Sequence, residues 1–262
     1  MLSLDLTGKT ALIGGSTQGI GLASAQELAS MGANCALISR NEEKLKTALQ
    51  TLDVSNGQKH QYLLADFAHP DQVRDAVTGF LRENTVHILI NNSGGPAGGP
   101  AMKAKPEEFI LAFNQHLICN HIITVLVAEG MKQAGYGRIV NIISTSVKIP
   151  LKDLGVSNTI RGAVASWAKT MANELGQFGI TVNNVLPGAT STERLETILK
   201  NKSAKTGKTI DEVEQEMMEE VPARRFGKPS EIAAMVAFLA SPAAAYVNGT
   251  SIPVDGGRTG SI

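Results

Sequence analysis

A turn with three glycines near the N-terminus is the clearest chemical motif of this 262-residue chain. It separates an apolar run from a helical pattern and consists of Gly15, Ser16, Thr17, Gln18, Gly19, Ile20 and Gly21. Such glycines permit a tight turn and a close approach of the backbone to a phosphate. A helix that begins near Gly19 would direct free N–H groups and its positive dipole end at that phosphate. We predict a dinucleotide site here; the alternative is a glycine-rich turn without a ligand.

The residues that end the second apolar run indicate which dinucleotide binds. An acidic residue at this place would bind the ribose 2′-hydroxyl of NAD and repel a 2′-phosphate. The chain instead has Ser39 followed by Arg40, and a guanidinium pairs with a phosphate in a forked geometry. We therefore predict NADP(H) rather than NAD(H) as the cofactor. The alternative is that Arg40 is a solvated residue in front of a helix.

The pattern of apolar residues predicts the elements that position these groups. Runs typical of buried strands occupy residues 9–14, 34–39, 61–65, 86–90, 138–143, 180–186 and 250–254. Helical patterns alternate with them, and this alternation is typical of a parallel sheet that is covered on both faces. We predict a Rossmann-type, doubly wound α/β fold with about seven strands. The whole chain, 1–262, is predicted to be one domain, in which the charged, helical segment 191–220 forms a substrate lid.

Composition and charge exclude several classes of function. Lys and Arg number 24, and Asp and Glu also number 24, so the formal net charge is zero. We therefore expect neither nucleic acid nor an anionic membrane as a partner. Unbroken apolar stretches are too short to span a bilayer, and the N-terminus lacks a signal-peptide pattern. Two distant cysteines do not form a disulfide framework, and we expect reduced thiols in a cytoplasmic protein.

Further motifs follow in order along nearly the whole chain. They are Asp66 after the third strand, Asn92-Ser93-Gly94 after the fourth, Asn114 in a long helix at 106–133, Ser144 at the end of the fifth strand, Pro187-Gly188 after the sixth, and the closing segment 248–257. Together with the Gly-x-x-x-Gly-x-Gly spacing, these motifs resemble the short-chain dehydrogenase/reductase family. The resemblance is strongest to bacterial reductases that act on 3-oxoacyl chains carried by acyl carrier protein.

The resemblance implies a cofactor role for each matching residue. Asp66 would contact the adenine, the segment 182–188 would line the nicotinamide, and Thr192 would meet its carboxamide. The predicted cofactor-binding set is Gly15, Ser16, Thr17, Gln18, Gly19, Ile20, Gly21, Ser39, Arg40, Asp66, Asn92, Ser93, Gly94, Pro187, Gly188 and Thr192.

The resemblance also implies a catalytic set, from which this chain departs. The family uses Ser, Tyr and Lys, with an Asn that completes a proton relay. Ser144 and Asn114 match the first and the last of these, but Ser157 and Arg161 stand at the places of the Tyr and the Lys. A serine hydroxyl is a far weaker acid than a phenol, and an arginine is not a tunable acid. Our catalytic candidates are nevertheless these four residues.

Other side chains were weighed as substitutes. Lys148 and Lys152 lie between Ser144 and Ser157 and are candidate proton donors; the alternative is that both are solvated loop lysines. His116 follows Asn114 by two residues, so helix geometry would direct it away from that side chain. His116 and His121 do not share a helix face, and we predict no metal site.

Two functions remain open from the sequence. The first is an NADP(H)-dependent oxidoreductase that acts on a small-molecule carbonyl or alcohol with an altered proton donor. The second is a dinucleotide-binding protein without turnover, such as a redox sensor or a partner subunit. We favour the enzyme. The resemblance also implies a homodimer or homotetramer, in which the long helix at 106–133 and the helix near 157–178 pack between subunits.

Overall fold

A seven-stranded parallel sheet forms the centre of the molecule. The structure is a computed structural model that describes residues 3–261. Its strands run in the order β3-β2-β1-β4-β5-β6-β7. They are β1 (Thr10–Gly14), β2 (Asn34–Ser39), β3 (Gln61–Leu64), β4 (Ile88–Asn91), β5 (Gly137–Ile142), β6 (Ile180–Pro187) and β7 (Ser251–Val254). The prediction of a Rossmann-type α/β fold is confirmed.

Helices cover both faces of this sheet. They are α1 (Gly19–Ser30), α2 (Glu42–Leu49), α3 (Pro70–Phe80), α4 (Pro106–Phe113), α5 (Cys119–Gln133), α6 (Gly155–Leu175), α7 (Glu193–Thr206), α8 (Ile210–Glu219) and α9 (Pro229–Ala240). Successive side chains of a strand point to opposite faces. Accordingly, Ala11 and Ile13 of β1 pack in the apolar cluster of α1 and α9, while Leu12 packs in the cluster of α3, α5 and α6.

A chain of buried polar side chains crosses four neighbouring strands. Asn91 Nδ2 donates to Asn141 Oδ1 at 2.8 Å, and Asn141 Nδ2 donates to Asn184 Oδ1 at 2.9 Å. Asn184 Nδ2 in turn donates to Ser251 Oγ at 3.0 Å. A shift of one residue in any strand would turn its amide to the opposite face and leave buried partners unpaired. The chain of amides therefore helps to fix the register of β4 to β7.

The long helix predicted at 106–133 is present, but it is not uniform. A π-helical turn, Asn114–Ile118, separates α4 from α5. By length and composition alone, the combined helix Pro106–Gln133 is long and apolar enough to cross a membrane, although polar residues such as Asn114 and Glu129 interrupt its apolar stretches. In this fold the helix packs against α3 and α6 and contributes Ile123 and Met131 to the core.

The segment predicted as a lid forms two helices with a small core of its own. Leu195 and Leu199 of α7 pack with Val213 of α8 and with Phe226. Gly207 separates the helices and has a φ of 74°, in the left-handed region that favours glycine. The charged side chains of both helices stay largely exposed, because the apolar positions recur on one face only.

Candidate functional site

The glycine turn lies where the strand order of the sheet reverses. β1 is flanked by β2 and β4, and the crevice at such a switch point is where open α/β sheets bind ligands. Gly15 and Gly19 have φ angles of 54° and 55°. Gln18, the N-cap of α1, makes no side-chain capping bond, and no acidic residue lies in the first turn. The first amides of α1 are therefore available to an anion.

Close packing holds this turn against the loop that follows β4. Asn92 Nδ2 donates to the carbonyls of Gly14 and Gly15, both at 3.2 Å. A Cβ atom on Gly21 would lie 2.2 Å from the Gly15 carbonyl oxygen. The Ser16 hydroxyl is buried without a partner among the described residues, although buried polar groups normally have one. Uncapped amides and an orphaned hydroxyl fit the phosphates of a dinucleotide cofactor.

The residues at the ends of β2 and β3 meet at the edge of the crevice. Arg40 Nη1 lies 3.6 Å from Asp66 Oδ2, and the Arg40 side chain is 75% exposed. Ser39 ends β2, and its carbonyl accepts a hydrogen bond from the Ala65 amide at 3.0 Å. An exposed pair such as Arg40–Asp66 contributes little to stability. Arg40 therefore remains available to an anionic ligand.

The start of the lid contacts the glycine turn. Thr192 caps α7 by accepting a hydrogen bond from the Leu195 amide at 3.4 Å. A Cβ atom on Gly19 would lie 3.3 Å from the Thr192 methyl carbon. Gln18 Nε2 also donates to Glu193 Oε2 at 2.8 Å. Thr192 and the glycine turn are thus brought together across the crevice.

Pro187 and Gly188 follow β6 on the same side of the sheet. Pro187 is the last residue of β6, and the Gly188 amide donates to the carbonyl of Val254 at 3.0 Å. A Cβ atom on Gly188 would lie 2.7 Å from the Cα atom of Asp255. The closing segment of the chain therefore packs directly on this turn, and a residue with a side chain would push the two apart.

The four catalytic candidates lie around the end of β5. Ser144 follows this strand, and its Oγ accepts a hydrogen bond from the Ser146 amide at 3.1 Å. Ser157 and Arg161 lie one turn apart on α6, with 6% and 8% of their surface exposed. Arg161 Nη1 donates to the carbonyl of Ile142, the last residue of β5, at 3.0 Å. Asn114 begins the π-helical turn, which packs against α6. Such turns are frequent at functional sites.

His116, which was considered from the sequence only as a neighbour of Asn114 and as a metal ligand, contacts the loop after β4. Its Nδ1 lies 2.6 Å from the Ser93 hydroxyl, and its Nε2 is buried without a partner among the described residues. Burial, with the charges of Arg161 and Arg194, lowers the pKa of His116 to about 2. The imidazole is therefore neutral at physiological pH. No local pattern could have revealed its contact, since it joins residues from a loop and a π-helical turn.

Arg194 is a residue that the sequence analysis missed. Its guanidinium reaches from α7 across the crevice to the loop after β4, where it donates to the carbonyls of Gly95 at 2.9 Å and Pro96 at 3.1 Å. Partial burial lowers the pKa of Arg194. Burial, with the nearby charge of Arg194, lowers the pKa of Arg161 to about 10. Both arginines remain charged at neutral pH.

The other groups weighed as proton donors lie elsewhere. Lys148 and Lys152 are both exposed, which agrees with the alternative that both are solvated loop lysines. Of the three tyrosines, Tyr62 donates to Glu42 at 2.8 Å, Tyr136 donates to a carbonyl near the end of α9 at 2.6 Å, and Tyr246 is fully exposed. Within residues 3–261, no group of three or more His, Cys, Asp or Glu side chains could hold a metal ion.

Comparisons with known proteins agree with this geometry. The family described as "Enoyl-(Acyl carrier protein) reductase" matches residues 15–259. A 3-oxoacyl-[acyl-carrier-protein] reductase of Vibrio cholerae is 31% identical over 257 residues, which are 97% of this chain and 98% of that protein. A tropinone reductase homologue of Arabidopsis thaliana is 31% identical, with 97% and 94% covered. The crystal structure of L-sorbose reductase from Gluconobacter frateurii, complexed with NADPH and L-sorbose, has a TM-score of 0.93 at 30% identity, with both chains fully covered.

Proposed function

The chain belongs to the short-chain dehydrogenase/reductase family of NAD(P)-dependent oxidoreductases, and we propose that it uses NADP(H) and a changed proton donor. Its reaction is hydride transfer between the nicotinamide and the carbonyl or alcohol carbon of a small molecule. One observation carries this proposal: the uncapped start of α1 lies at the β1/β4 switch point, at the same edge of the parallel sheet as the polar side chains that follow β5.

The changed proton donor is Ser157, with Arg161 one turn further along α6 in place of the family's lysine. Three observations support this part of the proposal. Both side chains are buried, and Arg161 donates to the last residue of β5, two residues before Ser144. The tyrosines hydrogen-bond elsewhere or lie in solvent. The neutral His116 is a poor acid, because its protonated form is disfavoured by burial.

The mechanism assigns each residue a limited task. The cofactor, when bound at the glycine turn, supplies the hydride. Ser144 can donate a hydrogen bond to the substrate oxygen and hold it in position. Arg161 can stabilise negative charge on that oxygen, but it cannot readily give up its proton. General acid catalysis is typically worth about 10² to 10⁴-fold, so we expect slow turnover of simple ketones.

The experiment that tests the proposed function is a steady-state assay of the purified protein. We expect NADPH consumption with a panel of ketones to be slow, but matched by the alcohol that forms. Tight NADPH binding without any turnover would instead support the second candidate, a dinucleotide-binding protein that does not catalyse. The weak acidity of Ser157 is the observation that favours this second candidate.

The first prediction concerns the choice of cofactor. We expect NADPH to bind at least about tenfold more tightly than NADH, because a charge-assisted hydrogen bond from Arg40 to the 2′-phosphate contributes about 1.5–3 kcal/mol. Arg40→Asp should remove this preference, which calorimetric titration of both cofactors measures. NADH affinity is the internal control and should not fall. Equal affinities in the wild type would contradict the prediction.

The second prediction concerns the lid, residues 191–220. We expect its amides to exchange faster without NADPH than with it, because α7 and α8 share only a small core and most of their side chains face solvent. Two contacts fasten the ends of α7, the first helix of the lid: Arg194 to the loop after β4, and Lys205 to Asp153 at 2.7 Å. Hydrogen-exchange mass spectrometry checks this. Slow exchange throughout the cofactor-free segment would rule the prediction out.

The third prediction concerns self-association. The outer face of α4 and α5 exposes Ile110, Leu111 and Val125 by 60%, 48% and 54%, and a second copy of this chain is the proposed partner. Val125→Glu should therefore lower the mass measured by light scattering toward that of a monomer. Val54→Glu is the matched control, because Val54 is 61% exposed outside this face. A monomeric wild type would disprove the proposal.

A further inference from the structure

Two guanidinium groups, one at the end of β5 and one against the loop after β4, lack an acidic partner. Neither Arg161 nor Arg194 takes part in an ion pair within the described part of the chain. Arg161 makes one hydrogen bond, to Ile142, and Arg194 makes two, to Gly95 and Pro96. A guanidinium carries five N–H donors. Both groups therefore keep donors that no described protein acceptor uses. Arg161 is only 8% exposed, and a charge removed from water in this way is normally paired, whereas Arg194 stays in contact with solvent.

The loop after β4 brings the two arginines and His116 into one region: its Ser93 contacts His116, its Gly95 accepts from Arg194, and its Gly99 amide donates to the carbonyl of Asp153, just before α6, at 2.7 Å. Arg161 lies on α6, Arg194 at the start of the lid, and His116 in the π-helical turn. Arg194 acts on the pKa of Arg161, and both arginines act on the pKa of His116. The buried Nε2 of His116 has no partner among the described residues. If Ser93 donates its hydroxyl proton to Nδ1, then Nε2 carries the imidazole proton and is a donor.

We propose that Arg161, Arg194 and His116 bind a carboxylate of the substrate, so that the carbonyl compound taken by this site is an oxo acid. The inference rests on the proposed function, because it names the substrate class of that same site. A carboxylate accepts bidentate hydrogen bonds from a guanidinium. It also offsets the repulsion between two neighbouring cations, which a neutral ligand would leave unopposed.

The loop after β4 is built to hold Arg194 in this position. A Cβ atom on Gly95 would lie 2.8 Å from the Arg194 Cζ atom, so any residue with a side chain there would displace the guanidinium. The two carbonyls that accept from Arg194 fix the plane of the group without neutralising its charge. Arg194 is therefore held by the backbone and remains free to pair with an anion.

The test measures binding without turnover. Benzoylformate, methyl benzoylformate and inorganic phosphate are titrated into the full-length protein saturated with NADP⁺, which has no hydride to give. We expect benzoylformate to bind at least about tenfold more tightly than its ester, because the ester lacks the anionic oxygen. Arg194→Gln should abolish this preference. Arg194→Lys should keep part of it, because lysine retains the positive charge but cannot form the bidentate hydrogen bonds of a guanidinium.

Two controls accompany the test. Arg74→Gln removes an exposed arginine of α3 and should leave the preference unchanged. The Arg194 variants are kept saturated with NADP⁺, and their affinity for the uncharged ester should stay at the wild-type value, which separates loss of the anion site from loss of folding or of cofactor binding.

Each other result would overturn the inference. These results are equal binding of acid and ester, no binding of either compound, a preference that survives Arg194→Gln, and tighter binding of phosphate than of benzoylformate. A carboxylate preference in a protein that reduces no ketone would support the anion site and contradict only the proposed function.

Discussion

Gly21→Ala should cost the protein both stability and cofactor affinity, although helix propensity alone predicts the opposite. Alanine is favoured over glycine by about 1 kcal/mol inside a helix. At this position, however, the new methyl group would lie 2.2 Å from the Gly15 carbonyl oxygen and 2.7 Å from Asn92 Nδ2. Overpacking of this kind costs about 1–3 kcal/mol and sometimes more, so steric repulsion should outweigh propensity.

The turn must shift to relieve this contact, and it carries the amides offered to the phosphates. Losing two charge-assisted hydrogen bonds of about 1.5–3 kcal/mol each weakens binding by about 100-fold or more. Thermal unfolding and NADPH titration of Gly21→Ala measure both effects.

Gly79→Ala is the matched control for this change. Gly79 lies in α3, where a Cβ atom would meet nothing within 4 Å, so the variant should be slightly more stable and bind NADPH normally. A Gly21→Ala protein with unchanged melting temperature and NADPH affinity would contradict the packing described here.

Local patterns were sufficient to predict the sheet and its helices. The strands are short runs rich in apolar and β-branched residues. A helix start can be recognised from a few consecutive residues, as at Asn41, whose side chain caps α2 by accepting from the Lys44 amide. The alternation of strands and helices then restricts the topology, because parallel connections are right-handed. The π-helical turn was missed because one added residue in a helix leaves the apolar period nearly intact.

The site was predictable only in part, because its contacts join distant segments. Ser93 and His116 are 23 residues apart, and Arg194 lies 99 residues from Gly95. No spacing rule relates such pairs, and charged residues in a helical segment are usually solvated. The glycine turn was predictable because its residues are consecutive and its geometry is local. Ser157 and Arg161 were placed by resemblance and by their spacing of one helical turn.

The largest expected gain comes from restoring a phenol and an amine together. We expect Ser157→Tyr combined with Arg161→Lys to raise carbonyl reduction by about 10²-fold or more over the wild type. A phenol has a pKa of about 10 that neighbouring charges can lower toward neutrality, whereas a serine hydroxyl is a far weaker acid. The lysine one turn away would supply that charge, so the two residues act as a unit.

The structure adds a condition to this prediction. Ser157 is 6% exposed, so a tyrosine ring must displace its neighbours at a cost of about 1–3 kcal/mol. Melting temperature and NADPH affinity of the double variant must therefore be measured beside its rate. The two single variants are the matched controls and should gain little, because a tyrosine without the lysine stays a weak acid and a lysine without the tyrosine has no phenol to act on.

The decisive measurement is kcat/KM for an activated ketone with NADPH in the wild type and the double variant. A folded double variant that binds NADPH but gains no activity would show that the missing phenol is not the defect. Lys148→Ala and Lys152→Ala should leave the slow wild-type rate unchanged, since both side chains are exposed. If instead the wild type is fast and either substitution abolishes its rate, a lysine has replaced the tyrosine as proton donor. We expect slow turnover of the wild type because Ser157, and not a lysine, stands in the place of the tyrosine.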